Sequence, residues 1–158
     1  VVRIEMQIFR TILSNCGAGI VMGTLVTHLA DDNWLIRLQV VHVIILALLS
    51  CQSDPTLSYR EIASTLALVL EDPKSKVRFY ALHCLALLGD FLGHKQLIAA
   101  VRPQLSQEAE CQLLNRLKDP SLPVLKGSLV IFPAGSSAVD SSLPSRSATP
   151  TMTSRTYT

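Results

Sequence analysis

Charge is scarce in this chain. Only 16% of its 158 residues are Asp, Glu, Lys or Arg, and the net charge is +2. So small and dispersed a surplus supplies no basic stripe, which nucleic-acid binding requires. Aromatic residues are equally thin at 5%, with Trp34 the single tryptophan. Any core must therefore be aliphatic. The four cysteines, Cys16, Cys51, Cys84 and Cys111, lie far apart and form no CxxC pair. That spacing gives neither a zinc site nor a dense disulfide framework, and reduced thiols in an intracellular setting are expected.

Catalytic signatures are missing too. No stretch has the pattern of a phosphate loop, a nucleophile elbow or a metal-binding His pair. The expectation is a protein that is not an enzyme and needs no cofactor. The four histidines do not cluster; His42 and His83 fall on equivalent positions of apolar helices, where a hydrogen-bonded structural role outweighs a ligand or catalytic one. Long apolar runs are also lacking. Trp34 to Leu49 comes nearest to a membrane span, but Arg37, Gln39 and His42 interrupt it. Its unbroken part falls short of the roughly 18 residues a span requires. A helix buried on most sides explains it better, and no membrane association is expected. The opening VVRIEMQIF shows neither an initiator Met nor a basic-then-apolar leader, so further repeats are expected upstream in a longer parent chain.

What the chain does have is apolar residues, 49% of the total, and a repeat. LVTHLADDNWLIRLQVVHVIILALL aligns without a gap on LALVLEDPKSKVRFYALHCLALL: Leu25 falls on Leu66, Leu29 on Leu70, Asp31 on Asp72, Arg37 on Arg78 and His42 on His83, each 41 residues apart. Each copy reads as an apolar helix, a polar corner and a second apolar helix. Asp72 is suited to cap the second helix and Pro73 to its first turn. The following Arg, Arg37 or Arg78, is placed to reach along the stack to a neighbouring acidic corner.

Taken in order, residues 1–15 read as one helix ended at Gly17. Ala18 to Ala30 follows, with Ile20, Val21, Leu25, Val26 and Leu29 as its inner stripe. Trp34 to Ser50 returns, and Ser53-Asp54-Pro55-Thr56 breaks it. Ser58, with Glu61 three residues on, has the capping-box pattern at the start of a helix that runs to Glu71. Lys76 to Leu92 returns. His94 to Val101 is a short helix ended by Pro103, and Ser106 opens another, with Cys111, Leu113, Leu114 and Leu117 apolar, that runs to Lys118. Asp119-Pro120 then falls on Asp72-Pro73 with an offset of 47 residues. This marks Asp119 as the third corner of a degenerate repeat, with Leu125 where the basic residue should stand. From Pro133 the chain turns to Ser, Thr, Pro, Ala and Gly, too polar to offset its ordering entropy. The expected organisation is an all-α solenoid of antiparallel helix pairs over 1–132 and a disordered tail over 133–158.

A period of about 40–47 residues in two-helix units is that of HEAT and armadillo repeats, and D-P-x-x-x-V-R before an apolar helix, as in LEDPKSKVRFYALHCLALL, resembles the HEAT consensus. Among HEAT proteins, the chain resembles TOG domains of the CLASP, XMAP-type and cilia-associated TOG-array families. That resemblance implies a non-catalytic module whose intra-repeat loops contact tubulin, in the cytoplasm and on the cytoskeleton or in the cilium. It also implies the contacts: Trp34 as the first-loop anchor, Lys74 and Lys76 in the second loop. Trp34 could equally be a ring folded on the neighbouring repeat, and corner lysines are ordinarily just solvated. The alternative reading is a generic HEAT or armadillo scaffold holding another protein. In the tail, Ser141-Ser142-Leu143-Pro144 resembles the Ser-x-Ile/Leu-Pro peptide bound by end-binding proteins, although Ser/Pro-rich composition generates such matches by chance.

Overall fold

In a computed structural model the chain is described over residues 2–52, 54–127 and 129–133. Residues 134–158, and with them the Ser141–Pro144 motif, lie outside the described residues. Among the described residues seven α-helices are arranged as two layers. The inner layer is α1 (Val2–Cys16), α3 (Trp34–Ser50), α5 (Ser75–Leu92) and α7 (Gln107–Lys118), packed side by side in that order. The outer layer is α2 (Ala18–Leu25), α4 (Tyr59–Val69) and α6 (His94–Val101). A short antiparallel hairpin, β1 (Val124–Lys126) and β2 (Leu129–Ile131), follows.

The central helix α3 explains its own composition. Val41, Ile44, Ile45, Leu46, Ala47 and Leu48 are all fully buried, because α1, α2, α5 and the hairpin surround it. A helix covered on nearly every side can be apolar all round. Among the described residues no helix is long and apolar enough to cross a membrane. Helix α4 is amphipathic by contrast: Ile62, Ala63, Leu66, Ala67 and Val69 face inward while Leu68 stands 60% exposed.

Several elements differ from the sequence expectation. The second helix winds into a 3₁₀ segment, Val26–Ala30, before the corner. Val21, Leu25, Val26 and Leu29 pack on the core as expected, with Ala18 and Met22 buried beside them, but Ile20 is 74% exposed. An almost wholly apolar segment carries no periodicity from which to read the buried face. Ser58 precedes α4 but its hydroxyl caps nothing, so the capping box does not form, and α4 stops at Val69 rather than Glu71. Helix α5 begins one residue early, at Ser75, with Lys74 in the capping position, leaving Asp72 and Pro73 outside it. On α7, Leu113 is buried but Cys111 and Leu114 are exposed.

The largest departure concerns the third repeat. The amide of Ser106, at the start of α7, donates to Glu71 Oε1 at the second corner (3.2 Å). At the other end of α7, Leu117 lies against Gly89 near the end of α5. Helix α7 is therefore parallel to α5 and is the returning helix of the third pair. Helix α6 is its partner, packed beside α4 through Ser64 Oγ, which donates to the Ala100 carbonyl (3.3 Å). The third intra-repeat corner is thus Arg102–Ser106, and Asp119 sits at the opposite edge, near Asp90 and His94. The 47-residue match to Asp72 reflects a shared turn, not a shared place in the repeat. Among the described residues beyond it no helix forms. Pro123 disfavours helical backbone at Leu122, Gly127 takes φ 62°, and the β-branched residues Val124, Val130 and Ile131 settle into strands.

The hairpin crosses back over the inner layer. Phe132 meets Tyr80 (ring centroids 4.8 Å apart) and His83 (5.4 Å), and Arg10 Nη1 donates to the Gly127 carbonyl (3.1 Å).

The edge opposite the three corners is pinned by the loop after α3. Asp54 Oδ2 accepts from the Ala18 amide (3.1 Å), satisfying a free N–H at the start of α2. Thr56 Oγ1 accepts from the Gly19 amide (3.0 Å) and donates to Asp54 Oδ1 (2.6 Å). A Cβ added at Gly19 would lie 2.7 Å from Thr56 Cβ and 2.8 Å from the Thr56 carbonyl. Gly19→Ala is therefore expected to destabilise the fold by about 1–3 kcal/mol despite the higher helix propensity of alanine. Urea denaturation reads the change, and a stabilised variant would contradict the close approach.

Candidate partner-binding edge

The first two corners share one local device. The carboxylates of Asp31 and Asp72 each accept, through Oδ1, from the amide two residues on, Asn33 and Lys74, both at 2.8 Å. This Asx turn reverses the chain just ahead of each returning helix. Asp54 and Asp119 form the same turn elsewhere, with Thr56 and Ser121 at 2.9 Å. At the first corner Asn33 then caps α3, accepting from the Leu35 amide at 3.0 Å.

Each of these two corners is closed from behind by its arginine. Arg37 Nη1 donates to the carbonyls of Asp31 (2.6 Å) and Asp32 (3.1 Å), and Arg78 Nη1 donates to the Asp72 carbonyl (2.5 Å). Arg37 also spans to the second corner. Its Nε and Nη2 meet the two Asp72 oxygens at 2.6 and 3.1 Å, a bidentate pair with 12% and 4% of the two side chains exposed. Hydrogen bonding to Asp72 holds the Arg37 pKa up. Burial pushes the Asp72 carboxyl up, but the hydrogen bonds from Arg37 and the Lys74 amide outweigh it and leave Asp72 below its ordinary value. Among the described residues no ion pair carries the ladder on from Arg78 to Asp119, because Asp119 is not on this edge.

Arg37 thereby fixes the spacing of the first two corners, and on that frame lie the residues singled out in the sequence. Trp34 is half-buried, its ring packed against the core. The Lys74 ammonium sits 5.7 Å from the ring centroid, within cation–π range. Together they wall a groove of about 590 Å³, floored by Val26, Leu29, Leu68 and Pro73. Lys76 is exposed but is not part of this groove; it lies toward His42, whose pKa burial lowers to about 4 with Lys76 adding in the same direction. The structure brings Trp34 and Lys74 together and separates Lys76 from them.

Arg102, at the true third corner, was hidden from the sequence by the misplaced register. Its guanidinium is exposed and pairs with Glu110 at 2.8 Å. One signal could have found it: Gly93 and Ser106 bracket His94–Val101 as a helix of its own, which must then be the outgoing helix of a pair.

His42 and His83 are packed within the fold. The His83 Nδ1 faces Arg116 Nη2 at 3.1 Å, and His42 packs edge-on to Tyr80 with ring centroids 4.4 Å apart. Cys84 is buried in apolar surroundings that push its thiol up. All four cysteines are unpaired, and among the described residues no group of His, Cys, Asp and Glu is placed to hold a metal.

No protein-family profile and no curated protein matches the chain. A solved structure does, one described as showing that Crescerin uses a TOG domain array to regulate microtubules in the primary cilium. It superposes with a TM-score of 0.76 at 26% sequence identity, over 83% of this chain and 55% of that one. The chain therefore spans little more than half the length of the structure it matches. Its fold is a TOG-like HEAT-repeat α-solenoid.

Proposed function

We propose that this TOG-like array is a non-catalytic module that binds tubulin through its corner edge. What carries the reading is the likeness to a TOG array that regulates microtubules, combined with a half-buried tryptophan and a lysine held side by side on two successive corners. Trp34 offers a rigid aromatic surface that loses little conformational freedom on docking. Lys74, and Lys76 from beside the groove, attract an acidic partner surface and speed encounter. Arg37 does not touch the partner; it keeps the two corners in register. Such binding would bring the protein to microtubules of the cytoskeleton or cilium.

The test is co-pelleting of the intact chain with microtubules, beside binding to unpolymerised tubulin. Trp34→Ala combined with Lys74→Glu should weaken binding by at least about tenfold with circular dichroism unchanged, and raised salt should weaken the parent chain. A folded chain that binds neither form of tubulin would rule the reading out and leave a scaffold for another protein.

A further inference from the structure

The end of the stack beyond α5 presents a second surface, unconnected with the first two corners. Helices α6 and α7 are splayed, and an open groove of about 700 Å³ runs between them. Ile98 and Leu117 are half-buried at its floor, while Leu114, 41% exposed, and Cys111 open onto it. The lining residues recur at helical spacing, Lys95 and Ile98 on α6 with Arg102 just past its end, and Cys111, Leu114 and Lys118 on α7, so two rows of side chains border one trough. Helix α6 has eight residues, which makes the trough about 12 Å long, two turns of a docked helix.

The charge around it has one sign. Lys95, Arg102 and Lys118 line the groove and no carboxylate does. Arg102 is engaged with Glu110, and among the described residues Lys118 Nζ donates only to the Asn115 amide oxygen (3.1 Å). We propose that this groove binds an acidic amphipathic helix of a partner protein. The apolar stripe of that helix lies against Ile98 and Leu114, and its flanking carboxylates meet Lys95 and Lys118. Residues 134–158 carry Arg146 and Arg155 against a single Asp140, the wrong sign for this rim. The exposed Ile8 and Ile12 of α1 have the exposed Arg10 between them in sequence, so a second copy stacked end to end would bring a further cation to this rim.

The probe is a designed helical peptide with leucines at i, i+3, i+4 and i+7 flanked by glutamates, compared with its lysine-flanked counterpart. Binding to the full chain is followed by fluorescence anisotropy. The glutamate peptide should bind at least about tenfold more tightly than the lysine peptide and weaken as salt rises. Leu114→Glu, at an exposed position, should abolish binding, and Lys95→Glu with Lys118→Glu should reverse the preference between the peptides. Trp34→Ala should leave the affinity unchanged, which separates this groove from the tubulin-binding edge. Equal binding of both peptides, insensitivity to Leu114→Glu, or loss of binding in Trp34→Ala would each overturn the proposal. So would self-association of the free chain that Leu114→Glu abolishes, since the groove would then serve a second copy.

Discussion

Replacing Arg37 with alanine should cost the fold about 3–5 kcal/mol, more than any other single change of a charged residue on the corner edge. The guanidinium makes four hydrogen bonds: two to the Asp72 carboxylate and one each to the carbonyls of Asp31 and Asp32. Removing it leaves Asp72, 4% exposed at its side chain, with the Lys74 amide as its remaining hydrogen-bond donor. An uncompensated buried carboxylate is the costly outcome when one partner of a buried pair is deleted. The net worth of the intact pair is smaller, so Arg37→Met with Asp72→Leu should recover much of the loss. Urea denaturation of the four members of this cycle separates the two quantities. A loss below about 0.5 kcal/mol in Arg37→Ala would mean that the pair is solvated and that Arg37 does not set the spacing of the corners. If the corners do depend on it, tubulin binding by a still-folded Arg37→Ala chain should fall as well, although Arg37 is not a contact residue.

The first two repeats were legible because they obey one pattern at one period. Leu66, Val77 and Arg78 occupy in the second copy the places of Leu25, Ile36 and Arg37 in the first, and a 41-residue offset forces the same helix–corner–helix path. The arginine that reaches the next acidic corner was legible for the same reason: a cation that follows an Asx turn by six residues lies at the turn's own carbonyls and beside the next repeat. The third repeat was not, because it is nine residues shorter between returning helices: α5 starts at Ser75 and α7 at Gln107, 32 residues apart rather than the 41 between Trp34 and Ser75. Asp119-Pro120 copied the local chemistry of Asp72-Pro73 on the wrong side of the stack. An Asp followed by Pro encodes a turn, and a turn is used at either edge of a solenoid. Trp34 shows a different limit. Ser75 stands at the equivalent place of the second repeat, but neighbouring corners are not alike in their surroundings: Leu68 and Pro73 of the second repeat line the groove beside the first corner, and Trp34 is half-buried there.

Acid should begin to destabilise this protein well above the pH at which its carboxylates protonate. His83 is 1% exposed and its Nδ1 faces the Arg116 guanidinium. Since arginine has only donors, Arg116 Nη2 donates to an unprotonated Nδ1, and the ring is neutral with its hydrogen on Nε2. Protonating it would break that bond and set two cations together in a buried place, next to the ring of Phe132. Burial, reinforced by Arg116, lowers the His83 pKa to about 4 from 6.5. The folded value lies below the unfolded one, so the contribution is fully present above pH 6.5 and is lost as pH falls toward 4. At 1.36 kcal/mol per pH unit this loss approaches about 3 kcal/mol, and His42, lowered to about 4 by burial, acts in the same window and direction. Asp72, whose pKa is depressed from 3.8, affects stability only below that window. Between pH 6.5 and 4 the slope therefore belongs chiefly to the two histidines. Urea unfolding at pH 7, 6, 5 and 4 should show stability falling through this range, and His83→Gln, which keeps an acceptor for Arg116, should show a distinctly shallower fall. A wild-type profile that stays flat down to pH 4.5 would mean that His83 takes up its proton without leaving the fold, and that Phe132 and the hairpin do not seal it.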